Sequence, residues 1–278
     1  YKTPIGELSE ELVFTRESHT LYRKNYLLKG TQDFSIYKYF IEDNVFTPCY
    51  EKAQRLLDII GESGVIFSTT ADPPLQDWIC SLLGTEGTIF GLFDHKKEIE
   101  ELIELQHKKN LEYCKILAKS PLKIFLHQAS WNIGRISPKI YKKYYSPYLK
   151  KYNGILHQRN KICLDHISGE RLKPYISLIE GINLDGLCGF VFPPRHGDLK
   201  LSDICARWEE KMIVIGGLDS DFLARAKVEE AKKKTKQILD EIGSAENFIL
   251  GAADDIVYGT PIENLEAVSI AIQEYGKS

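Results

Sequence analysis

The chain has 278 residues, of which 43% are hydrophobic and 27% charged, and its formal net charge is −3. This composition is typical of a globular protein, and so small a net charge gives no footprint for nucleic acid or for an anionic membrane surface. No stretch approaches the roughly 20 apolar residues that a membrane-spanning helix needs. We therefore expect neither nucleic acid nor a membrane among the partners of the chain.

The six cysteines include no C-x-x-C pair, so the sequence predicts neither a zinc knuckle nor a redox motif. Cys163 and Cys188 lie in apolar runs, where a buried thiol is the simplest interpretation. A reduced, cytoplasmic protein is the expectation. The chain begins at Tyr1 and its single methionine is Met212, so we expect the native N-terminus to lie upstream.

The first 50 residues differ from the rest of the chain. Alternating apolar and polar residues in Glu11–Leu28 predict a β-hairpin. The aromatic-rich YKYFIEDNVF that follows has two interpretations, a lid or interface and half-buried packing. We expect one domain over residues 1–278, with a hairpin- or lid-like segment at 1–50 and strand–helix units at 51–278.

Six short and almost continuously apolar runs follow, as expected of strands that are covered on both faces. They are Gly64–Thr70, Lys123–Ala129, Lys161–Ile167, Leu184–Val191, Lys211–Asp219 and Asn247–Asp254.

Helical patterns separate these runs. Glu98–Lys119 is amphipathic, and Val228–Gly243 places its apolar side chains on one face before a glycine stop. In TPIENLEAVSIAIQEYG, Thr260 and Glu263 predict a capping box. The expected buried stripe of this last helix is Leu265, Val268, Ile272 and Tyr275.

Repeated strand–helix units predict an α/β protein with a parallel sheet. A closed eight-stranded (β/α)8 TIM barrel needs two more units, which could precede Tyr1 or be missing from this chain, whereas a doubly wound open sheet accepts six. The G-x-G-x-x-G turn of a dinucleotide-binding sheet is absent, which weakens the second alternative.

In a parallel barrel, the carboxyl ends of the strands and the loops after them form the active-site face. Each polar residue found there also has a structural interpretation: an aspartate such as Asp165 or Asp219 can cap a helix, and a histidine can be satisfied internally. The candidates chosen by this geometry are Ser68, Thr69, Thr70, Asp72, His127, Gln128, Trp131, Asn132, Asp165, His166, Ser168, Arg195, His196, Asp219, Asp221, Asp254 and Asp255.

From Asp72 to its C-terminus the chain resembles the uroporphyrinogen decarboxylase superfamily, which includes the corrinoid (cobalamin)-dependent methyltransferases. The segments that carry the resemblance are RISPKIYKKYYSPYLKKY (135–152), KICLDHISG (161–169), IGGLDSDFL (215–223), FILGAADDIVYGTPIENLEAV (248–268) and EYG (274–276). The N-terminal YKTPIGELSEE resembles a segment of methyltransferase-type members. The resemblance implies a single (β/α)8 barrel whose first part precedes Tyr1.

The resemblance also implies where a metal would bind. The zinc methyltransferases carry His-x-Cys at the strand end that matches His166 and Ser168, and a second cysteine in the loop that matches Ala252 and Ala253. A serine hydroxyl is a poor zinc ligand because it stays protonated at neutral pH. Our hypothesis is a divalent metal, such as zinc, held by the nitrogen and oxygen ligands of His166, Asp165 and Asp255.

Methyl transfer between a small methylated compound and a corrinoid on a partner protein is the first functional hypothesis. His166, Asp254 and Asp219 are then the candidate catalytic residues. The expected substrate contacts are His127, Gln128, Trp131, Asn132, Ser168, Arg195 and His196.

A uroporphyrinogen decarboxylase, which needs no cofactor, is the first alternative to methyl transfer. It would require an arginine-containing signature and a pyrrole-binding aspartate that do not occur here, and the basic side chains near the expected cleft are few, mainly Arg195 with Arg135 and Arg171. The second alternative is a non-catalytic barrel that binds a ligand or a partner.

Overall fold

A computed structural model describes residues 1–131, 136–167, 171–191 and 197–276. The strands are β1 (Lys2–Thr3), β2 (Gly6–Glu7), β3 (Glu11–Thr15), β4 (Thr20–Asn25), β5 (Phe67–Thr69), β6 (Ile124–Trp131), β7 (Ile162–Ile167), β8 (Gly186–Phe190), β9 (Ile213–Leu218) and β10 (Phe248–Ala252). The α-helices are α1 (Phe34–Asp43), α2 (Tyr50–Ile60), α3 (Pro74–Asp77), α4 (Gly84–Asp94), α5 (Lys96–Ala118), α6 (Pro138–Tyr144), α7 (Ser146–His157), α8 (Ile176–Glu180), α9 (Leu201–Trp208), α10 (Ser220–Arg225), α11 (Val228–Ile242) and α12 (Ile262–Tyr275).

The chain divides into two compact units. The first comprises Tyr1–Ala129, Lys139–Cys163 and Gly181–Asn183, and the second comprises Ser130–Pro138, Leu164–Glu180 and Leu184–Ser278. The expectation of one domain over the whole chain stays a prediction.

The first unit contains the predicted hairpin and the first two parallel strands. Strands β3 and β4 pair antiparallel across a short turn, which confirms the hairpin predicted from alternation. Strands β5 and β6 pair in parallel, with Phe67 opposite Ile124 and Thr69 opposite Leu126. The helix predicted from Glu98 is α5, which ends at Ala118.

The interior of the first unit combines apolar packing with buried polar groups. Helices α5 and α7 pack together, and the side chains of Ile99, Tyr152 and Leu156 are buried. The hydroxyl of Tyr152 lies 2.8 Å from Nδ1 of His107, and the hydroxyl of Tyr145 donates to Oε1 of Gln76 at 2.7 Å. These bonds satisfy polar atoms that water does not reach.

The second unit contains a parallel sheet in the order β7–β8–β9–β10, so that each strand lies beside the next one in sequence. Together with β5 and β6, the described residues contain the six parallel strands that the sequence predicted. The expected α/β class with helices between parallel strands is confirmed, and six of the eight strands of a closed barrel are present among the described residues. Within the same residues, no helix combines the length and the apolar character needed to cross a membrane.

Helix α11 follows the predicted pattern. Ala231, Thr235 and Ile238 are buried along one face, and the helix ends before Gly243, which has a left-handed φ of 60°. Glycine adopts this conformation without the penalty that a Cβ brings, so the predicted stop is confirmed.

Helix α12 begins at Ile262 and differs from the prediction in its cap and its buried face. The hydroxyl of Thr260 donates to the carbonyl oxygen of Val257 at 2.7 Å and does not cap the helix. The buried positions are Asn264, Ala267 and Ala271. Each lies one residue before an expected position, Leu265, Val268 or Ile272. The predicted stripe is corrected accordingly: Leu265 and Val268 are half-buried, and Ile272 and Tyr275 are exposed.

Asn264 explains this rotation of the helix. Its side-chain amide donates to the carbonyl oxygens of Leu223 and Ala226, each at 2.8 Å. A side chain that satisfies two backbone acceptors must face them, and the small side chains on the same face let α12 approach α11.

Candidate functional site

The strand β7 carries two of the expected metal ligands at adjacent positions, Asp165 and His166. Burial alternates along the strand, with Cys163, Asp165 and Ile167 fully buried and His166 partly exposed. Successive side chains of a strand point to opposite faces of its sheet. Asp165 and His166 therefore do not converge on one ion, and the predicted metal set of His166, Asp165 and Asp255 is corrected by removing Asp165.

His166 does face a carboxylate. Its Nε2 lies 4.0 Å from Oδ1 of Asp254, which follows strand β10, and the two side chains are 21% and 66% exposed. The backbone amide of Asp255 donates to the same Oδ1 at 2.9 Å, and the hydroxyl of Ser220 donates to the carbonyl oxygen of Asp254 at 3.0 Å. The loop after β10 thus places the Asp254 carboxylate opposite the imidazole, as the sequence predicted for strand ends of a parallel sheet.

Asp219 and Asp255 have different positions. Oδ1 of Asp219 accepts a hydrogen bond of 2.9 Å from the backbone amide of Phe222 and caps α10, which is the structural interpretation that its sequence position allowed. Asp255 is exposed beside Asp254. The catalytic role of Asp219 and the metal-binding role of Asp255 stay predictions.

Cys188 is a member of this site that the sequence interpretation missed. In the pairing of β7 with β8, Cys188 stands directly opposite His166, so both side chains lie on the same face of the sheet. The thiol is partly exposed rather than buried as expected, and it donates to the carbonyl oxygen of Asp165 at 3.4 Å. Burial, Asp165 and Asp254 raise the pKa of the Cys188 thiol to about 12, so it holds its proton at neutral pH.

A glycine next to Cys188 allows these strand ends to meet. Gly189 has a φ of 96° and forms an irregularity in the pairing of β8 with β9. A Cβ at this position would overlap the carbonyl oxygen of Ile167 and lie 3.2 Å from that of Ala253. The absence of a side chain therefore lets the end of β7 and the start of the Asp254 loop approach β8.

In the first unit, His127 is fully buried in β6. Its Nδ1 lies 2.7 Å from the carbonyl oxygen of Ala71, and its Nε2 lies 2.8 Å from Oδ1 of Asn153. Asn153 in turn donates to the carbonyl oxygen of Ile182 at 2.8 Å, and burial lowers the pKa of His127. The expectation that His127 binds substrate is corrected, because both ring nitrogens are engaged inside the protein.

Gln128 follows His127 and has an exposed side chain, so its role as a substrate contact stays a prediction. Its backbone amide donates to Oδ1 of Asp72 at 2.7 Å, and the side-chain amide of Asn110 donates to the carbonyl oxygen of Asp72 at 3.0 Å. Asn110 was not among the candidates, because nothing in the amphipathic pattern of α5 distinguishes it from a surface polar residue.

Several candidates fall outside the described residues. These are Asn132, Ser168, Arg195 and His196, together with Arg135 and the side chain of Trp131, and their roles stay predictions.

The chemistry of the second unit follows from its side chains. An imidazole nitrogen and a carboxylate oxygen 4.0 Å apart are near enough for both groups to act on one atom of a bound molecule. The site can therefore hold or move a proton at a heteroatom of that molecule.

A protein-family model and several solved structures match this chain. A family model described as Uroporphyrinogen decarboxylase (URO-D) matches residues 77–275. No curated protein matches the chain. A solved structure titled "methyltransferase from Methanosarcina mazei" superposes with a TM-score of 0.64 at 13% identity, covering 96% of this chain and 76% of that one. This likeness shows the fold and confirms the expected α/β architecture.

A second solved structure, the Mg-complex of beta-methylaspartase from Clostridium tetanomorphum, gives a TM-score of 0.42 at 10% identity over 96% of this chain and 85% of that one. This similarity is too low to carry an argument.

Proposed function

Because the chain belongs to the uroporphyrinogen decarboxylase family, we propose that it is an enzyme that transfers a methyl group between a small methylated compound and a corrinoid carried by a partner protein. The observation that carries the proposal is the pair formed by His166 and Asp254 at the ends of β7 and β10, with 4.0 Å between Nε2 and Oδ1. Two groups of this kind suit the activation of a heteroatom that carries a methyl group.

Two further considerations favour methyl transfer within the family. A solved structure with a similar fold is titled a methyltransferase, which favours this class of reaction. The few basic side chains that the sequence offers near the site would serve a tetrapyrrole with many carboxylates poorly, because each buried carboxylate needs a cation or several donors.

In the proposed reaction the heteroatom of the methylated compound faces His166 and Asp254. A divalent metal held by these two residues would act as a Lewis acid that stabilises the leaving heteroatom. His166 would contribute an imidazole nitrogen and Asp254 a carboxylate oxygen to the ion, and Asp255, next to Asp254, would offer a second carboxylate. Asp219 caps α10 and so positions the adjacent Ser220, whose hydroxyl bonds to the backbone of Asp254.

The partner protein enters the proposal through the corrinoid, which accepts or donates the methyl group. Gln128, the residue beyond His127, is the described candidate for a contact with the small substrate. Trp131, Asn132, Ser168, Arg195 and His196 complete the proposed set.

The test is transfer of a methyl group from a panel of O- and N-methyl compounds to free cob(I)alamin, followed by the change in its absorption spectrum. We expect turnover with at least one donor, and a loss of roughly 100-fold or more in the His166→Ala variant, the range expected for removal of an acid–base group or metal ligand. His95→Ala, at an exposed position in the first unit, is the matched control and should retain full activity.

Two outcomes would contradict the proposal. Inactivity of the wild type across the panel, with carbon dioxide released from a uroporphyrinogen, would establish the decarboxylase of the family name instead. Tight binding of a ligand without turnover would establish a non-catalytic barrel.

A further inference from the structure

The first unit contains a small cavity whose lining includes a carboxylate outside any ion pair of the described residues. The cavity has a volume of about 290 Å³ and is bordered by α1, α5, β4 and the end of α3 with the residues after it. Its polar lining includes Glu10, Arg23, Tyr37, Asp77, Ser81 and Gln106. The cavity belongs wholly to the first unit, whereas the pair of His166 and Asp254 belongs to the second.

Asp77 receives a hydrogen bond from a neutral neighbour. The side-chain amide of Gln106 donates to Oδ2 of Asp77, and the hydroxyl of Tyr37 donates to Oε1 of Gln106 at 3.3 Å. Tyr37 and Gln106 are buried, whereas the side chain of Asp77 is partly exposed. Among the described residues, no ion pair includes Asp77. Because a carboxylate removed from bulk water normally has a cation beside it, the negative charge of Asp77 is not balanced by the chain.

The arginine in the lining is engaged with other groups. Arg23 forms an ion pair with Glu10, and its Nη2 donates to Oγ of Ser81 at 3.4 Å. The charges of Arg23 and Glu10 cancel, so an ionised Asp77 leaves one negative charge in excess among the side chains of the lining. A cavity with this excess attracts a monovalent cation.

Aromatic and aliphatic side chains complete the lining. The rings of Tyr37 and Phe40 are nearly parallel, with centroids 6.3 Å apart, and Leu27 and Leu82 are buried at the same cavity. The face of an aromatic ring attracts an ammonium group, and leucine side chains accommodate alkyl carbon atoms. Mg²⁺ and Ca²⁺ instead require about six or more oxygen ligands. The lining therefore favours an organic cation over a divalent metal ion.

We propose that this cavity binds a small primary alkylammonium ion, with the ammonium group against the Asp77 carboxylate and the alkyl chain beside Leu27 and Leu82. An ammonium group offers three N–H donors and no acceptor, which matches the oxygen acceptors on Asp77, Ser81 and Gln106. The volume of about 290 Å³ lies at the lower end of ligand sites, which span about 300–1,000 Å³, and suits a molecule of few carbon atoms. The inference goes beyond the proposed function, because neither this site nor this ligand takes part in methyl transfer.

The pKa of Asp77 is consistent with a ligand site. Burial raises it to about 6, and the hydrogen bond from Gln106 opposes this by a smaller amount. The buried charge therefore destabilises the free protein at neutral pH. A charge kept in this way is typical of a binding site, where stability is lost in favour of function.

The first test is a titration of the purified full chain with n-butylammonium chloride, followed by saturation-transfer difference NMR in phosphate buffer at pH 7.5 and constant ionic strength. We expect saturable binding. Asp77→Asn keeps the shape of the side chain and removes its charge. It should weaken binding by roughly 30-fold or more, the effect expected when a buried charge pair loses one partner.

The matched control is Asp94→Asn. Asp94 is an exposed carboxylate at the end of α4 in the same unit, and its replacement should leave the affinity unchanged. Circular dichroism checks that both variants are folded. If Asp77→Asn binds n-butylammonium as tightly as Asp94→Asn does, the inference is wrong.

A second measurement uses only the wild-type chain and so does not depend on a variant. It compares n-butylammonium with n-butanol and with butyrate, which have similar shapes but are neutral and negatively charged. Binding should be at least tenfold weaker for n-butanol and undetectable for butyrate. Equal binding of n-butanol would identify an apolar cavity in which Asp77 has no role, and displacement of n-butylammonium by an equal concentration of MgCl₂ would identify a site for inorganic cations. Either result, or no binding of n-butylammonium at all, overturns the proposal.

Discussion

Gly189 is the position where a single methyl group should disturb the site most, and Gly189→Ala is therefore the sharpest test of how the strand ends are arranged. The residue has a φ of 96°, in the left-handed half of conformational space, which costs an L-residue about 1–2 kcal/mol. The new Cβ would also overlap the carbonyl oxygen of Ile167, and relief of such overpacking costs about 1–3 kcal/mol. We expect a total loss of roughly 2–5 kcal/mol in the free energy of unfolding.

Gly189→Ala should also affect the site, because the backbone atoms that must move are next to His166 and Asp254. Ile167 follows His166, and Ala253, whose carbonyl oxygen lies 3.2 Å from the new Cβ, precedes Asp254. Displacement of the backbone at Ile167 or at Ala253 would change the distance between the His166 imidazole and the Asp254 carboxylate. The rate of methyl transfer should fall, even at temperatures where the variant remains folded.

The assay combines urea unfolding, followed by circular dichroism, with hydrogen exchange of the peptides that contain β7 and the loop after β10. Gly251→Ala is the matched control: it lies in β10, a Cβ there would meet no atom within 4 Å, and it has no left-handed φ. We expect that control to change the unfolding free energy by no more than about 0.5 kcal/mol. If Gly189→Ala unfolds at the same urea concentration as Gly251→Ala, with unchanged exchange in both segments, the reasoning is refuted.

Three further predictions concern stability. Burial raises the pKa of Asp77 to about 6, and the hydrogen bond from Gln106 opposes this by a smaller amount. The native state therefore binds the proton of Asp77 more tightly than the unfolded state does. For this reason the free energy of unfolding of the wild type rises as the pH falls through about 6. Asp77→Asn should therefore stabilise the chain by up to roughly 3 kcal/mol at pH 7.5 and by much less at pH 4, and a gain independent of pH in urea unfolding would contradict this. His127→Ala should cost about 2–4 kcal/mol, because it removes the buried imidazole that contacts the Ala71 carbonyl and Asn153 Oδ1 and leaves a cavity in its place. His95→Ala should cost almost nothing, and equal thermal midpoints for the two variants would show that the buried imidazole contributes nothing. Asn264→Ala should lose about 2–3 kcal/mol, since two backbone carbonyls lose their donors, measured by calorimetry against the wild type and contradicted by an unchanged midpoint.

The strands and the long helices could be predicted from the sequence because local patterns determine them. Six apolar runs became six parallel strands, and the apolar face and final glycine of α11 predicted both its buried side and its end. These features depend on residues that are close in the chain, and their period appears directly in the sequence.

Tertiary partners decided the features that could not be predicted. The rotation of α12 depends on Asn264 reaching carbonyl groups about 40 residues earlier, and apolar residues occur on several sides of that helix. The burial of His127 depends on Ala71 and Asn153, which no local pattern connects with it.

The residues of the site could be predicted from the sequence only in part. The position of His166 at a strand end was correct, but pairing it with its neighbour Asp165 ignored the period of two along a strand. The same period, applied to the next strand, would have placed Cys188 beside His166. What the sequence did not supply was the register between β7 and β8, since either of two adjacent residues on β8 could have stood opposite the histidine.

The order of β7, β8, β9 and β10 in the second unit has a consequence for how this unit acquires its structure. Every strand pairs with the one that follows it in the chain, so each pairing closes only one crossover, a loop on the order of 30 residues. Loop-closure entropy rises with loop length, and short crossovers keep the barrier to each pairing low. The sheet can grow strand by strand in the direction of synthesis, and Asp254, which follows the last strand, joins His166 only when that growth is complete.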